Sequence, residues 1–214
     1  MNDDARPQHR FCTTREAAEL LGVSLRTAQL WTESGLLQAW RTPGGHRRIL
    51  RASVERLLAE SPPADEPEAA APSQDELRIV VAEDDLALRR LYAMRLAEWP
   101  LKAQLVVVGS GVEALIAIGR HAPDLLITDL RMPEMDGFRM LETLRAMPDL
   151  AGMDIVVVTG LDAGEIDRRG GLPAGVRVLG KPVPFDELER MAVALASLKQ
   201  RADTPRPAGE PADE

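Results

Sequence analysis

Polar side chains follow several short apolar runs in the second half of the chain. The runs at residues 77–81, 125–127, 155–158 and 176–179 are rich in β-branched residues and alternate with helical stretches, which predicts buried strands of a parallel sheet. The carboxyl ends of such strands meet at one edge of the sheet, where ligands bind. We therefore expect these side chains to lie together: Glu83, Asp84, Asp129, Thr159 and Lys181.

This set of side chains is suited to phosphoryl transfer onto a carboxylate. Asp129 supplies the acceptor oxygen, and Mg²⁺ held by the neighbouring carboxylates would neutralise the incoming phosphoryl oxygens. Lys181 offers an ammonium group and Thr159 a hydroxyl to the same phosphoryl group. Catalysis of this kind is almost entirely positioning and electrostatics. The sequence therefore predicts that Asp129 is a phosphorylation site.

The first sixty residues contain a different pattern, two short helices joined by a turn. Thr13 and Glu16 match a capping box before an apolar stretch, and Gly22 is typical of a helix end. Ser24 then caps a second helix. Basic segments on both sides of residues 42–46 predict a β-hairpin. A helix-turn-helix followed by a basic hairpin is typical of units that bind DNA.

Composition limits the classes of protein that remain. The 214 residues, 45% of them hydrophobic, can bury one full core and a small one. The net charge is −8, but the charged residues between 38 and 58 are five arginines and a single acid, Glu55, which suits a polyanionic partner. Cys12 is the single cysteine, so an intramolecular disulfide is excluded. We see neither a membrane span nor a signal peptide, and we expect a cytoplasmic protein without a membrane partner.

The chain is predicted to contain two domains. A small domain covers residues 10–60 and a larger one covers residues 77–200. Residues 61–76 between them are acidic and rich in proline and alanine, with no large apolar group, which predicts a flexible linker. Residues 201–214 lack apolar periodicity and are predicted to form a disordered tail.

The larger domain resembles the receiver domain of bacterial two-component response regulators. The motifs that carry the resemblance are residues 80–85, Asp129 with residues 132–137, Thr159-Gly160 and Lys181-Pro182. The resemblance implies an α/β fold, a doubly wound, five-stranded parallel sheet of the flavodoxin-like type. The small winged helix-turn-helix domain precedes it. A cis peptide bond before Pro182 is also implied.

The same resemblance assigns roles to individual residues. Asp129 is implied to be the phosphoacceptor, Thr159 the switching hydroxyl and Lys181 the base that contacts the phosphoryl group. The Mg²⁺ ligands are implied to be Glu83, Asp84, Asp129 and the backbone carbonyl of Arg131. The phosphoryl donor is implied to be a sensor histidine kinase or a phosphotransfer protein. We expect a regulator rather than an enzyme, because an aspartyl-phosphate phosphohydrolase needs a second Asp where Arg131 stands.

The small domain resembles the winged helix-turn-helix of the MerR and excisionase-type DNA-binding families, above all in residues 41–48. The resemblance implies that the partner is double-stranded DNA, with the second helix in the major groove and the hairpin on neighbouring phosphates. The residues expected to contact DNA are Arg26, Thr27, Gln29, Arg41, His46, Arg47 and Arg48. Gln29 stands where many MerR-type proteins have arginine, so the base preference is not carried over.

The sequence departs from the receiver pattern in two places. Val178 stands where receivers usually have an aromatic residue, and residues 168–175 interrupt the fourth helix of the domain. Because the linker is predicted to transmit no rigid motion, we expect phosphorylation to act by pairing two chains as a homodimer on DNA. Two alternatives stay open: a phosphorelay or scaffold protein whose N-terminal domain binds another protein, and a pseudo-receiver that is never phosphorylated.

Overall fold

The computed structural model describes residues 10–33, 35–42, 47–60, 76–132, 137–145, 147, 150 and 152–203. The predicted linker lies outside these residues except for Glu76, and so does the predicted tail beyond Asp203. His46, at the tip of the predicted hairpin, and residues 133–136 also lie outside them.

The N-terminal domain combines a small antiparallel sheet with three described helices. Its elements are β1 (Phe11–Cys12), α1 (Thr14–Leu21), α2 (Leu25–Glu33), β2 (Ala39–Arg41), β3 (Arg47–Leu50) and α3 (Arg51–Glu60). The predicted hairpin strands are present as β2 and β3, which pair antiparallel with Trp40 opposite Arg48. β1 was not predicted, and it pairs with the other edge of β3.

The start and end of α1 follow from its sequence. Thr13 accepts a hydrogen bond from the amide of Glu16 at 3.1 Å, and Glu16 accepts one from the amide of Thr13 at 2.7 Å, which completes the predicted capping box. Gly22 ends the helix in the left-handed conformation, with φ of 68°. Ser24 then accepts the amide hydrogen of Thr27 at 3.0 Å and caps α2 as predicted.

The C-terminal domain is a five-stranded parallel sheet with helices on both faces. Its elements are β4 (Leu77–Ala82), α4 (Leu86–Ala97), β5 (Ala103–Val108), α5 (Gly111–His121), β6 (Leu125–Thr128), α6 (Gly137–Arg145), β7 (Asp154–Thr159), α7 (Ala163–Arg168), β8 (Arg177–Gly180) and α8 (Phe185–Asp203). The strand order is β5-β4-β6-β7-β8. This confirms the predicted α/β fold, a doubly wound sheet of the flavodoxin-like type.

Alternate residues of the strands fill two separate cores. Val80 and Leu126 point to one side, where they pack with α5 and α6. Ile79 and Ile127 point to the other side, where they pack with α4 and α8. The sheet is therefore buried on both faces, as its continuous apolar runs predict.

Two helices differ in length from what is usual or predicted. α7 ends at Arg168, and the residues after it include Gly170 and Gly171 with positive φ, so the predicted interruption of the fourth helix is present. α8 continues to Asp203, so the predicted start of the tail at residue 201 is too early. Among the described residues, none of the helices combines the length and the apolar character needed to cross a membrane.

The two domains are in contact, which the sequence did not lead us to expect. Apolar residues of the N-terminal domain, including Trp31 and Leu57, belong to the same core as Leu115 and Ile118 of α5. A hydrogen bond also joins the domains, from Nε of Arg120 to the carbonyl oxygen of Leu21 at 2.9 Å. α5 is therefore covered by the sheet on one side and by the N-terminal domain on another.

Candidate functional site

Four of the side chains predicted to meet lie at the carboxyl ends of β4, β6, β7 and β8. Glu83 and Asp129 follow two neighbouring central strands, Thr159 ends β7, and Lys181 follows β8. Three of them are buried, with exposures of 1% for Glu83, 7% for Asp129 and 1% for Thr159. Buried polar groups need partners, and these residues partly supply them to one another.

Asp129 is held in one orientation by bonds to both carboxylate oxygens. Its Oδ1 accepts the amide hydrogens of Leu130 at 2.6 Å and Arg131 at 3.2 Å. Its Oδ2 accepts a hydrogen bond from Nζ of Lys181 at 2.7 Å. These three bonds leave the carboxylate in a fixed position beside the Lys181 ammonium.

Lys181 links the two buried carboxylates. Its Nζ lies 2.8 Å from Oε2 of Glu83 as well as 2.7 Å from Asp129. Burial by itself would lower the pKa of Lys181, but the bonds to the two carboxylates outweigh it and raise that pKa above its usual value. The Lys181-Pro182 bond is cis, as the receiver resemblance implies. The backbone amide of Lys181 donates to the carbonyl of Thr159 at 2.9 Å, which ties the two strand ends together.

For Glu83, burial outweighs the bonds to Lys181 in setting the pKa. Burial raises its pKa above the usual value, and the bonds from Lys181 offset only part of that rise. Glu83 is thus a buried acid whose charged form depends on a nearby cation. Asp85, two residues on, instead caps α4 by accepting the amide hydrogens of Ala87 and Leu88.

The acidic residues also fit a hard divalent cation. Oxygen atoms of Glu83, Asp84 and Asp129 all lie within 4.8 Å of one another, and Mg²⁺ prefers carboxylate and carbonyl oxygens. Asp84 is exposed, so one side of this group remains open to water, which Mg²⁺ usually retains in part. The acidic cluster therefore contains the three carboxylates that were predicted to bind magnesium.

Gly137 has a supporting role that sequence reasoning did not assign. A Cβ atom at this position would lie 2.7 Å from Cα of Leu130 and 2.8 Å from the carbonyl oxygen of Asp129. Its amide donates to the carbonyl of Leu130 at 3.1 Å. Only glycine allows this approach, so Gly137 fixes the backbone that carries Asp129. The signal was its place at the end of the motif that follows Asp129.

Thr159 and Val178 occupy the two positions of the switch that the receiver resemblance implies. The hydroxyl oxygen of Thr159 accepts the amide hydrogen of Leu161 at 3.3 Å. Val178, where an aromatic residue is usual, lies on the edge strand β8 with 44% of its surface exposed. The predicted switching hydroxyl therefore lies at the site, while the position of its usual aromatic partner holds a smaller side chain.

The N-terminal residues predicted to contact DNA differ in their surroundings. Arg26, Gln29 and Arg41 are exposed. Arg47 is paired with Glu33 of α2, with 2.7 Å between Nη2 and Oε1. Arg48 lies on β3 and is partly buried. The hairpin is therefore connected to α2 by an ion pair that the sequence did not reveal.

Thr27 is the exception among these residues. Its hydroxyl lies 2.7 Å from that of Ser24, and its methyl group packs against Gly119 of α5. In this arrangement Thr27 is half-buried against α5, whereas Arg26 beside it is exposed.

Comparisons with known proteins agree with both family resemblances. A family profile described as "Response regulator receiver domain" matches residues 79–193, and one described as "Helix-turn-helix domain" matches residues 11–62. The solved Francisella response regulator 1452 receiver domain is similar in structure, with a TM-score of 0.50 and 27% identity, and the match covers 57% of this chain and 98% of that one.

Two curated proteins illustrate the range of relatives. Response regulator MprA of Mycobacterium avium is 35% identical over 129 residues, which cover 59% of this chain and 54% of that protein. Sensor histidine kinase RcsC of Salmonella typhi is 32% identical over 129 residues, which cover 59% of this chain and 13% of that protein. The chain thus spans about half of the first relative and a small part of the second.

Proposed function

Because this chain belongs to the response regulator receiver domain family, we propose that it converts phosphorylation of Asp129 into a change in DNA binding. The observation that carries the proposal is the arrangement of Asp129, Lys181 and Glu83, with the Lys181 ammonium bonded to both carboxylates. The phosphoryl donor is a sensor histidine kinase or a phosphotransfer protein, and the output is made by the helix-turn-helix domain at residues 11–62.

The proposed reaction is an in-line displacement at phosphorus. A carboxylate oxygen of Asp129 forms a bond to phosphorus while the phosphorus–nitrogen bond of a phosphohistidine breaks, and the imidazole leaves with a proton from solvent. The backbone amides of Leu130 and Arg131 keep the carboxylate oriented. Lys181 then bonds the phosphoryl oxygens, and the Thr159 hydroxyl offers a second donor.

A magnesium ion belongs to the proposal because the residues fit it. Its proposed ligands are Glu83, Asp84, Asp129 and the carbonyl of Arg131. When bound, Mg²⁺ supplies positive charge that offsets the repulsion between the carboxylates and a phosphoryl group. Glu83 needs a nearby cation to stay charged, which the raised pKa of this residue supports.

DNA binding is proposed to use α2 and the hairpin. The side chains of Arg26 and Gln29 are exposed on α2 and would reach base edges in the major groove. The hairpin would hold phosphates through Arg41, His46, Arg47 and Arg48, with Thr27 as the remaining predicted contact. Two copies of so small a domain read more sequence than one, which supports a homodimer. Leu198 of α8, 63% exposed, is an apolar side chain available for pairing.

The test is a binding measurement on the full chain before and after phosphorylation. The protein is treated with a small acyl phosphate and Mg²⁺, and its affinity for a duplex obtained by selection is measured over a range of salt concentrations. We expect phosphorylation to change the affinity in the wild type but not in Asp129→Asn. A steep loss of affinity with added salt is expected of DNA binding. Binding of the N-terminal domain to a protein instead of DNA, with little dependence on salt, would support the scaffold alternative.

A further inference from the structure

The middle of α5 is apolar around its whole circumference. Residues 114–118 between Glu113 and Gly119 carry only aliphatic side chains, and all five are buried. A helix that covers one face of a sheet normally has a polar outer side, whereas a helix that is apolar all round is buried on all sides. The composition of residues 114–118 therefore favours a second covering surface besides the sheet.

The N-terminal domain provides this second surface through a close contact at Gly119. A Cβ atom at Gly119 would lie 3.0 Å from Cγ1 of Val23, 3.1 Å from Cγ2 of Thr27 and 3.3 Å from Cζ2 of Trp31. A Cβ atom would force these side chains to shift by a few tenths of an ångström, and a longer side chain would have to push the two helices apart. Glycine at this position thus lets the backbone of α5 reach the flank of α2.

A polar bond gives the contact a defined register. The carbonyl oxygen of Leu21 lies in the last turn of α1, where carbonyl groups have no partner within the helix. Arg120 donates to it through Nε at 2.9 Å. The contact therefore joins an apolar surface to a directional hydrogen bond, as specific interfaces do.

We propose that Gly119 and Arg120 form a docking face on α5 for the N-terminal domain of the same chain, and that docking and duplex DNA exclude each other. The proposal rests on the proposed DNA binding by α2. The occupant is the domain seen against α5 in the structure. It is joined to the receiver through residues 61–75, so its effective concentration near α5 is high.

The exclusion follows from the dimensions of a helix in a groove. The major groove of B-DNA is about 12 Å wide, and an α-helix with its side chains is about 10–12 Å across. An α2 helix inserted in the groove would therefore have a row of backbone phosphates along each of its two sides. Thr27 lies about 100° around the helix from Arg26, on one of these sides. α5 is in van der Waals contact with that side and occupies the space that one row of phosphates would need.

The first test weakens docking in the full chain. Gly119→Gln places a neutral, helix-forming side chain into the contact, and Gly152→Gln is the matched control because no atom lies within 4 Å of a Cβ at Gly152. We expect Gly119→Gln to bind a mixed-sequence duplex at least about fivefold more tightly than the wild type. A fivefold change in affinity is the lower end of the range that is usual for coupling between two sites. The control should bind like the wild type. Equal affinity of folded Gly119→Gln and wild type would overturn the exclusion.

The second test strengthens docking. Thr27→Cys with Gly119→Cys, in a Cys12→Ala background, places two thiols within reach of a disulfide. We expect oxidation to yield a cross-linked monomer that binds the duplex about fivefold or more weakly than the reduced protein. A cross-linked dimer would show that a second copy occupies the docking face, and unchanged affinity after cross-linking would contradict the exclusion.

The two tests separate this inference from the proposed function. If the wild type, Gly119→Gln and the reduced double-cysteine protein all fail to bind duplex DNA, the DNA-binding proposal and the exclusion both fail. The docking face is then judged by cross-linking alone. Efficient monomeric cross-linking supports it, and failure to cross-link under conditions where each thiol reacts with a maleimide overturns it.

Discussion

The ammonium group of Lys181 lies 2.7 Å from Oδ2 of Asp129, although 52 residues separate them in sequence. The same ammonium lies 2.8 Å from Glu83. One cation thus lies between two buried carboxylates at the proposed phosphorylation site. Burial raises the pKa of Glu83, so the charged form of Glu83 depends on this ammonium.

Replacing Lys181 should show this dependence as a loss of stability. Lys181→Met leaves two buried carboxylates without their ammonium partner, and we expect the free energy of unfolding at neutral pH to fall by about 1–3 kcal/mol. Added Mg²⁺ should restore most of that loss, because it can take over the neutralisation. Urea unfolding with and without Mg²⁺ measures both effects.

Lys199→Met is the matched control for this experiment. Lys199 is similarly half-buried and bonds to Asp124 at 2.8 Å, far along the sheet from the magnesium ligands. Its replacement should also destabilise the protein, but Mg²⁺ should restore no more stability than it adds to the wild type. Equal rescue of both variants would contradict a cation site at Glu83, Asp84 and Asp129.

Asp124 should make stability depend on pH. Burial would raise the pKa of Asp124, but hydrogen bonds from Lys199 and Arg78 outweigh it and lower that pKa below its ordinary value. Because the folded pKa is depressed, the stabilisation is present above the unfolded pKa, near 4, and is lost as pH falls through the folded pKa. Asp124→Asn should therefore cost about 1–2 kcal/mol at pH 7 and much less well below pH 4.

Denaturant unfolding at several pH values measures this difference. Asp186→Asn is the control, since the side chain of Asp186 is 86% exposed and lies 3.6 Å from Arg95. Exposed pairs contribute little, so its effect should be small throughout. A cost of Asp124→Asn that stays constant down to strong acid would show that the charge of Asp124 is not what stabilises the fold.

The ion pair between Arg47 and Glu33 should restrain DNA binding. Glu33→Gln removes an acid from α2 and releases Arg47 from a 2.7 Å contact. We expect tighter binding to duplexes of any sequence, with the salt dependence of log K steeper by about one unit if Arg47 gains one phosphate. Glu55→Gln, which breaks the Arg51–Glu55 pair on α3, is the control for the change in charge. The same gain in both variants would reflect net charge alone.

Local signals in the sequence were sufficient for much of this structure. The capping box at Thr13, the glycine end of α1 at Gly22 and the apolar runs of the sheet all act over a few residues, so their elements could be predicted. The strand-end positions of Asp129 and Lys181 then followed from the geometry of parallel sheets. The extent of α8 beyond residue 200 was missed because its last turns carry little apolar periodicity.

Contacts between distant segments could not be predicted in the same way. The bond from Arg120 to Leu21 and the approach of Gly119 to Thr27 depend on how two domains meet. Thr27 was predicted to face DNA. The sequence of α2 does not show that Thr27 lies against Gly119, which is 92 positions later in the chain. One signal was available, however: the absence of polar residues from Ala114 to Ile118 leaves the middle of α5 without a solvent-facing side.

Intact-protein mass spectrometry can detect phosphorylation of Asp129. The full chain is incubated with a small acyl phosphate and Mg²⁺, beside Asp129→Asn and a sample containing a chelator. We predict a gain of one phosphoryl group in the wild type, sensitive to hydroxylamine as an acyl phosphate is, and no gain in either of the other samples. No gain in the wild type, or a hydroxylamine-sensitive gain in Asp129→Asn, would show that Asp129 is not the phosphoacceptor.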